Sequence, residues 1–390
     1  MQNELRVMLA LASAGVLAGA VACSDNDDNN GPVPVADAGP DGGNGGLTDA
    51  GGEDSSTEPP GPNTIAGVVT QTVLVATAND PNVVNAWGLA FTPAGDAAWI
   101  ADNGTGNISV YDANNTLVNT ITVPVPDGID TAAPSGLIAN SLPDNFNGDA
   151  FIGVTEEGTV IGFPADGSDP AIRYDNSGSG AVYKGVAIAT SGGQPLLLVT
   201  NFNAGTVDVF DANYAPTTIT GGLTDTTLPA GFAPFNVATF GAAIVVTYAK
   251  QDDQKHDDVK GEGNGFINAF DLNGNMATRL ASNGTLNSPW GLAVVPNDAA
   301  AIQGRLLVGN FGDGKINVFA AALTDSANMS ATFEGVLGDS ANNPLSIDGL
   351  WSLQFPPNAG TFDSKVLYFT AGPNSEQGGA YGSIAIISQP

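Results

Sequence analysis

The stretches AWGLAFTP at residues 86–93 and PWGLAVVP at residues 289–296 are two copies of one apolar strand, and their recurrence decides the fold. Related strands start at Ser135-Gly136-Leu137, Lys184-Gly185-Val186, Phe235-Asn236-Val237 and Trp351-Ser352-Leu353. The six copies recur at intervals of roughly 50 residues, the period of a β-propeller. Aligned on their second strands, DNGTGNISVYDA (102–113), NFNAGTVDVFDA (201–212) and NFGDGKINVFAA (310–321) each join a strand end, a glycine turn and an alternating strand. These turns carry the Gly, Asn and Asp that tight hairpins demand. The reading is all-β: a six-bladed β-propeller over residues 64–390.

Blade six has strands two and three in VLYFTAG (366–372) and GSIAIIS (382–388), but no fourth strand follows. The alternating segment AGVVTQTVLVAT (66–77) precedes blade one without a partner. It is expected to close the last blade, which removes an open sheet edge. In the Trp-Gly-Leu repeat, glycine lets innermost strands approach the crowded axis, and tryptophan is expected to fill the wider space between blades.

Acidic residues outnumber basic ones by 40 to 10, a formal net charge of −30. Nucleic acid and anionic lipid need clustered Lys and Arg, so both are excluded as partners, and cations or basic surfaces are favoured. His256 is the only histidine and Cys23 the only cysteine. A His/Cys zinc site therefore cannot be assembled, and any Ser-His-Asp triad would have to run through His256. No G-x-S-x-G elbow is present. Gly309 to Lys315 matches most of a phosphate-binding loop, but Ile316 replaces the Ser or Thr and strands flank it, so it reads as a hairpin turn.

Residues 5–22 are apolar and rich in Ala and Gly, and Ala20-Val21-Ala22-Cys23 resembles a bacterial lipobox. Residues 1–22 then read as a lipoprotein signal peptide, with Cys23 as the lipidation site. Residues 23–63, acidic and rich in Gly, Pro and Asp, read as a disordered tether. The expectation is an exported monomer that meets a bacterial membrane only through its lipid anchor. Ser24, which is not the Asp associated with inner-membrane retention, favours the outer membrane.

In a propeller, the loops between strands two and three and those between blades emerge on one face, around the mouth of the axial channel. Candidates on that rim are Asp102, Asn103, Glu156, Glu157, Asn201, Asn310 and Asp313, with Asn85 and Asp348 where blades begin. Oxygen ligands converging on an axis suit Ca²⁺, and Asp102, Glu156, Asn201 and Asn310 are the candidate metal ligands. One connection departs from the pattern: AKQDDQKHDDVKGEGNG, between strands two and three of blade four. It concentrates Lys250, Asp252, Asp253, Lys255, His256, Asp257, Asp258 and Lys260 in a chain otherwise poor in charge. This loop is expected to fold over the mouth as a recognition element, with His256 favoured in its charged form by the flanking aspartates.

NAWGLA, SPWGLA, LLVGNFGDGKINVF, YAKQDDQKHDDVKGEGNGF and DGLWSLQF together resemble a family of uncharacterised exported bacterial propellers, some ending in a PEP-CTERM sorting tail. More distantly the blades resemble NHL-type and SMP-30-type propellers. The latter resemblance implies a metal-dependent lactonase with Glu, Asn and Asp ligands lining the channel. Two functions follow as expectations. The first is a scaffold that binds an unidentified protein or small-molecule ligand on its loop-bearing face. The alternative is a Ca²⁺-dependent lactonase-like hydrolase, with His256 or a channel carboxylate as base.

Overall fold

The computed structural model describes residues 64–387, apart from residues 67, 300 and 340. The expected signal peptide, Cys23 and the tether lie outside the described residues. Six sheets, antiparallel from their innermost to their fourth strands, succeed one another along the chain. Blade one runs Ala86–Phe91, Ala97–Asp102, Asn107–Asp112 and Leu117–Thr122, from the innermost strand outwards. Blades two to five start at Pro134–Ala139, Tyr183–Ser191, Phe232–Phe240 and Pro289–Val294, and blade six at Leu350–Gln354. Each innermost strand packs on the innermost strand of the next blade, and blade six returns to blade one. This is the six-bladed propeller expected from the repeat.

Closure follows the expected route and adds to it. Val68–Ala76 pairs antiparallel with Ala380–Ile387 as the fourth strand of blade six. Just before it, Thr64–Ala66 pairs in parallel with Ser330–Gly338, giving blade five a fifth strand. One N-terminal segment thus covers the outer edges of two blades.

Each interface between neighbouring blades buries its own apolar cluster. Between blades one and two it includes Ala90, Val110, Leu137, Phe151 and Ile161. Between blades six and one it includes Val75, Leu89, Ile100, Tyr111, Tyr368 and Tyr381. The repeat glycines allow this packing. A Cβ on Gly88 would lie 2.5 Å from the carbonyl oxygen of Ser135, and one on Gly291 would lie 2.7 Å from that of Trp351. Side chains tie the same strands together: Asn236 Nδ2 donates to the Trp290 carbonyl at 2.7 Å, and Ser135 Oγ to that of Tyr183 at 2.7 Å.

The tryptophans of the repeat are not between the blades, as the sequence suggested, but on the axis. Trp87 of blade one contacts Trp290 of blade five at 6.3 Å between ring centroids, and Phe235 of blade four contacts Trp351 of blade six at 6.1 Å. These are not neighbouring blades, so such contacts are made only across the centre. Each innermost strand slips register at this point, for example between Ala86 and Leu89 and between Leu350 and Leu353. A bulge of this kind re-aims a side chain, here turning the residue before the glycine inward. Trp87, Trp290 and Trp351 join Phe202, Phe235 and Phe311 in one buried plug. On the far side of that plug, a cavity of about 340 Å³ is lined by all six innermost strands, including Leu137, Val186, Val237 and Leu353.

Candidate functional site

Above the aromatic plug, the charged insertion crosses the mouth as a small hairpin. Gln251 and Asp258 form an antiparallel bridge, and the amide of Val259 donates to the carbonyl of Lys250 at 2.8 Å. Asp252 closes the turn by accepting from the amide of His256 at 2.9 Å. Two bonds fix the hairpin to opposite sides: Gln251 Nε2 donates to the Phe202 carbonyl of blade three at 2.6 Å, and the Gly261 amide to Asn287 Oδ1, before blade five, at 2.7 Å. Lys250, Asp253 and Lys255 remain exposed.

The centre of the mouth is held by Lys184, a residue that sequence reasoning did not single out. Its side chain is 1% exposed, and Nζ pairs with Glu156 of blade two. The Asp257 carboxylate of the hairpin lies 3.5 Å from the same nitrogen. Beneath it are the rings of Trp87 at 4.9 Å and Phe202 at 5.9 Å. Burial alone would lower the lysine pKa, but Glu156, Asp257 and Asp258 outweigh it and hold the ammonium above its ordinary value. A signal for Lys184 did exist. It occupies, in KGVA, the place that tryptophan holds in three of the other five copies, so a cation replaces an aromatic ring in a position that faces the axis.

From Lys184 a hydrogen-bonded chain spans the mouth. Asn103 Nδ2 donates to Glu156 Oε2 at 2.9 Å, and Asn85 Nδ2 donates to Asn103 Oδ1 at 3.1 Å and to Glu376 Oε2 at 2.9 Å. Trp351 Nε1 donates to Asn85 Oδ1 at 2.8 Å. Burial raises the pKa of Glu376, from the Gly-rich connection of blade six. On the hairpin, His256 Nδ1 lies 2.9 Å from Asp257 Oδ1. That contact raises the histidine pKa and brings Asp257 down to about 2. Asp258 behaves oppositely. Burial raises its pKa against the opposing pull of the Ser288 hydroxyl, and its Oδ2 is shielded from solvent.

Of the four residues expected to hold a metal, only Glu156 belongs to this cluster. Asp102 is fully buried and accepts from Ser109 Oγ within blade one. Asn201 donates to Asp208 within blade three at 3.0 Å. Asn310 donates to the Thr285 carbonyl at 2.7 Å and to Asp313 at 3.0 Å. In three blades the last residue of strand two thus braces the hairpin that follows instead of facing the axis. Glu156, His256 and Asp257 do bring ligand atoms within 4.8 Å of one another. They do not suit Ca²⁺, which takes six to eight oxygens. One member offers an imidazole nitrogen, and both carboxylates already flank the Lys184 ammonium.

Beside the cluster, a pocket of about 520 Å³ opens between blades two and three, lined by Asp127, Glu156, Glu157, Ala181, Asn203 and His256. Glu157 accepts from the Ala133 amide at 3.0 Å. Among the described residues neither Asp127 nor Glu157 is paired with a cation. The remaining rim candidate, Asp348, accepts from the amide of Asn374 at 2.8 Å.

No family model matches the chain. It is 30% identical over 323 residues to uncharacterised protein R648 of Acanthamoeba polyphaga mimivirus, covering 78% of this chain and 76% of that protein. Uncharacterised protein L690 of the same virus is 28% identical over 324 residues, covering 78% and 81%. Among solved structures, a protein of unknown function from Bacteroides thetaiotaomicron aligns over 82% of this chain and 76% of its own, with a TM-score of 0.52 and 8% identity. Virginiamycin B lyase from Staphylococcus aureus aligns over 83% of this chain and 100% of its own, with a TM-score of 0.47 and 13% identity. At these identities the likeness is one of fold.

Proposed function

The chain belongs to the family of uncharacterised protein R648 of Acanthamoeba polyphaga mimivirus, and from the mouth of its propeller we propose that it is a binding module for a cationic group on a partner protein or small molecule. The observation that carries this reading is Lys184. The mouth stabilises a buried ammonium between carboxylates and aromatic faces, so its chemistry is that of an amine receptor. Alongside it the pocket presents Asp127 and Glu157 to solvent-borne ligands. A chain of net charge −30 adds a long-range field that draws cations towards such a cleft.

The test is a titration of the protein with a lysine-rich peptide and a glutamate-rich peptide of equal length, followed by tryptophan fluorescence. The lysine-rich peptide should bind with an affinity that falls as salt rises. Glu157→Gln together with Asp127→Asn should weaken it about tenfold while leaving the Lys184 cage intact. Equal binding of both peptides, or no effect of the double substitution, defeats the proposal.

Export and lipidation at Cys23 belong to the same reading, with the tether presenting the module at a bacterial membrane surface, the outer membrane favoured. Cys23→Ser should move the protein from the membrane fraction to the soluble fraction. Identical fractionation of both forms rules this part out.

A further inference from the structure

We propose that the mouth contains a second ammonium station, over Phe311, which the chain's own Lys260 fills as a displaceable stand-in for an alkylammonium ligand such as a lysyl side chain. The inference rests on the cation-binding reading above and deepens it.

Lys260 Nζ lies 3.9 Å from the Phe311 ring centroid. That ring is a built surface, not an exposed accident. Phe311 is 3% exposed and stacks on Trp351 at 3.8 Å with an interplanar angle of 14°, so its orientation is locked into the axial plug. Around it the site is acidic. The charge of Lys260 acts on both Asp258 and Glu376, favouring their ionised forms against burial.

The two lysines of the mouth differ in how they are held. Lys184 is enclosed and paired with Glu156 and Asp257. Lys260 is an exposed residue that forms no ion pair among the described residues, and its ammonium rests on the ring face. Its tether is the hairpin itself, pinned at Gly261 to Asn287. Deeper in, the Ser288 hydroxyl lies against the buried Asp258 carboxylate and favours its ionised form. An ammonium offers three donors, and one free of the hairpin can keep the aromatic face while its donors stay hydrated beside the carboxylates of the mouth. The station that holds the Lys260 ammonium therefore fits the head of an unbranched alkylammonium as well.

Chemical complementation tests this directly. Full-length Lys260→Ala is titrated with n-butylammonium chloride, against sodium chloride at equal ionic strength, reading tryptophan fluorescence and melting temperature. Saturable binding about tenfold tighter than to the parent is expected, with a rise in melting temperature that sodium does not give. Adding Phe311→Leu should abolish it. Lys260→Met, which keeps an apolar chain over the ring, should stay folded and show no gain, and it serves as the folding control should the alanine variant unfold. The proposal is overturned if n-butylammonium binds the parent and Lys260→Ala equally, if it binds neither, or if the methionine variant gains as much as the alanine one. Glu157→Gln separates the two readings. If it removes peptide binding by the parent but leaves the gain in Lys260→Ala, both sites stand. A gain without any peptide binding by the parent leaves the station standing and removes the pocket. Loss of both through Glu157→Gln means a single site, and the station over Phe311 fails.

Discussion

Lys184 of blade three lies with its ammonium 4.9 Å above the ring of Trp87 of blade one, and the two are equivalent positions of the repeat. A cation thus rests on the aromatic ring that its own position would otherwise carry. The pair joins the aromatic plug to the charged hairpin, because the same nitrogen reaches Asp257 at 3.5 Å.

Lys184→Met should destabilise the protein strongly. Its removal leaves the largely covered Glu156 without its counter-charge, and breaking a buried pair from one side costs about 3–5 kcal/mol. Adding Glu156→Gln should recover part of that loss. Urea unfolding followed by tryptophan fluorescence checks both, and a single variant within about 1 kcal/mol of the parent would show that the cage contributes little.

Asp102→Asn should stabilise the protein at neutral and higher pH. Burial first, and then the charge of Asp80, raise the Asp102 pKa well above its ordinary value. The folded state therefore holds this proton more tightly than the unfolded chain, and stability declines as pH rises from about 4 through the folded pKa. Asparagine mimics the neutral acid and can keep a contact with Ser109. Melting temperature against pH should be flatter in the variant and higher above neutrality, by about 2 °C or more. A variant less stable than the parent at pH 8 contradicts this.

The hairpin should be held most firmly in mildly acidic solution. His256 has its pKa raised by Asp257, so its contribution is complete below about 6.5 and is lost as pH rises through the raised value. Asp257, held at about 2, contributes above about 4 and loses this only as pH falls towards that value. Amide protection factors across residues 251–264, taken relative to the intrinsic exchange rate at each pH, should be larger near pH 5.5 than near pH 8.5. His256→Ala should remove the difference, and an unchanged pH dependence in that variant would show that the imidazole is a bystander.

Deleting residues 64–76 should expose the edges of blades five and six together, since Thr64–Ala66 and Val68–Ala76 cover one each. Aggregation or loss of the cooperative melt is expected, with size-exclusion chromatography as the check. A truncated protein that elutes and melts like the parent would show that ring closure does not depend on this segment.

The sequence by itself determined the architecture. Six copies of a strand-turn-strand unit, each with Gly, Asn or Asp at its turns, are local features, and a propeller repeats local units around an axis. The same locality made the charged insertion legible, because only its length and composition set it apart from the other connections. What lay beyond the sequence was decided by side chains that meet only when the ring closes. Trp87, Trp290 and Trp351 belong to blades one, five and six, and the bulges that turn them onto the axis appear only once the strands are paired. Asp102, Asn201 and Asn310 have the residue types of metal ligands, yet each finds a hydrogen-bond partner nearby before it can reach the centre. Lys184 joins Glu156 from one blade and Asp257 from the insertion of another. Its role comes from closing the ring, since a buried charge takes its meaning from neighbours that are distant along the chain.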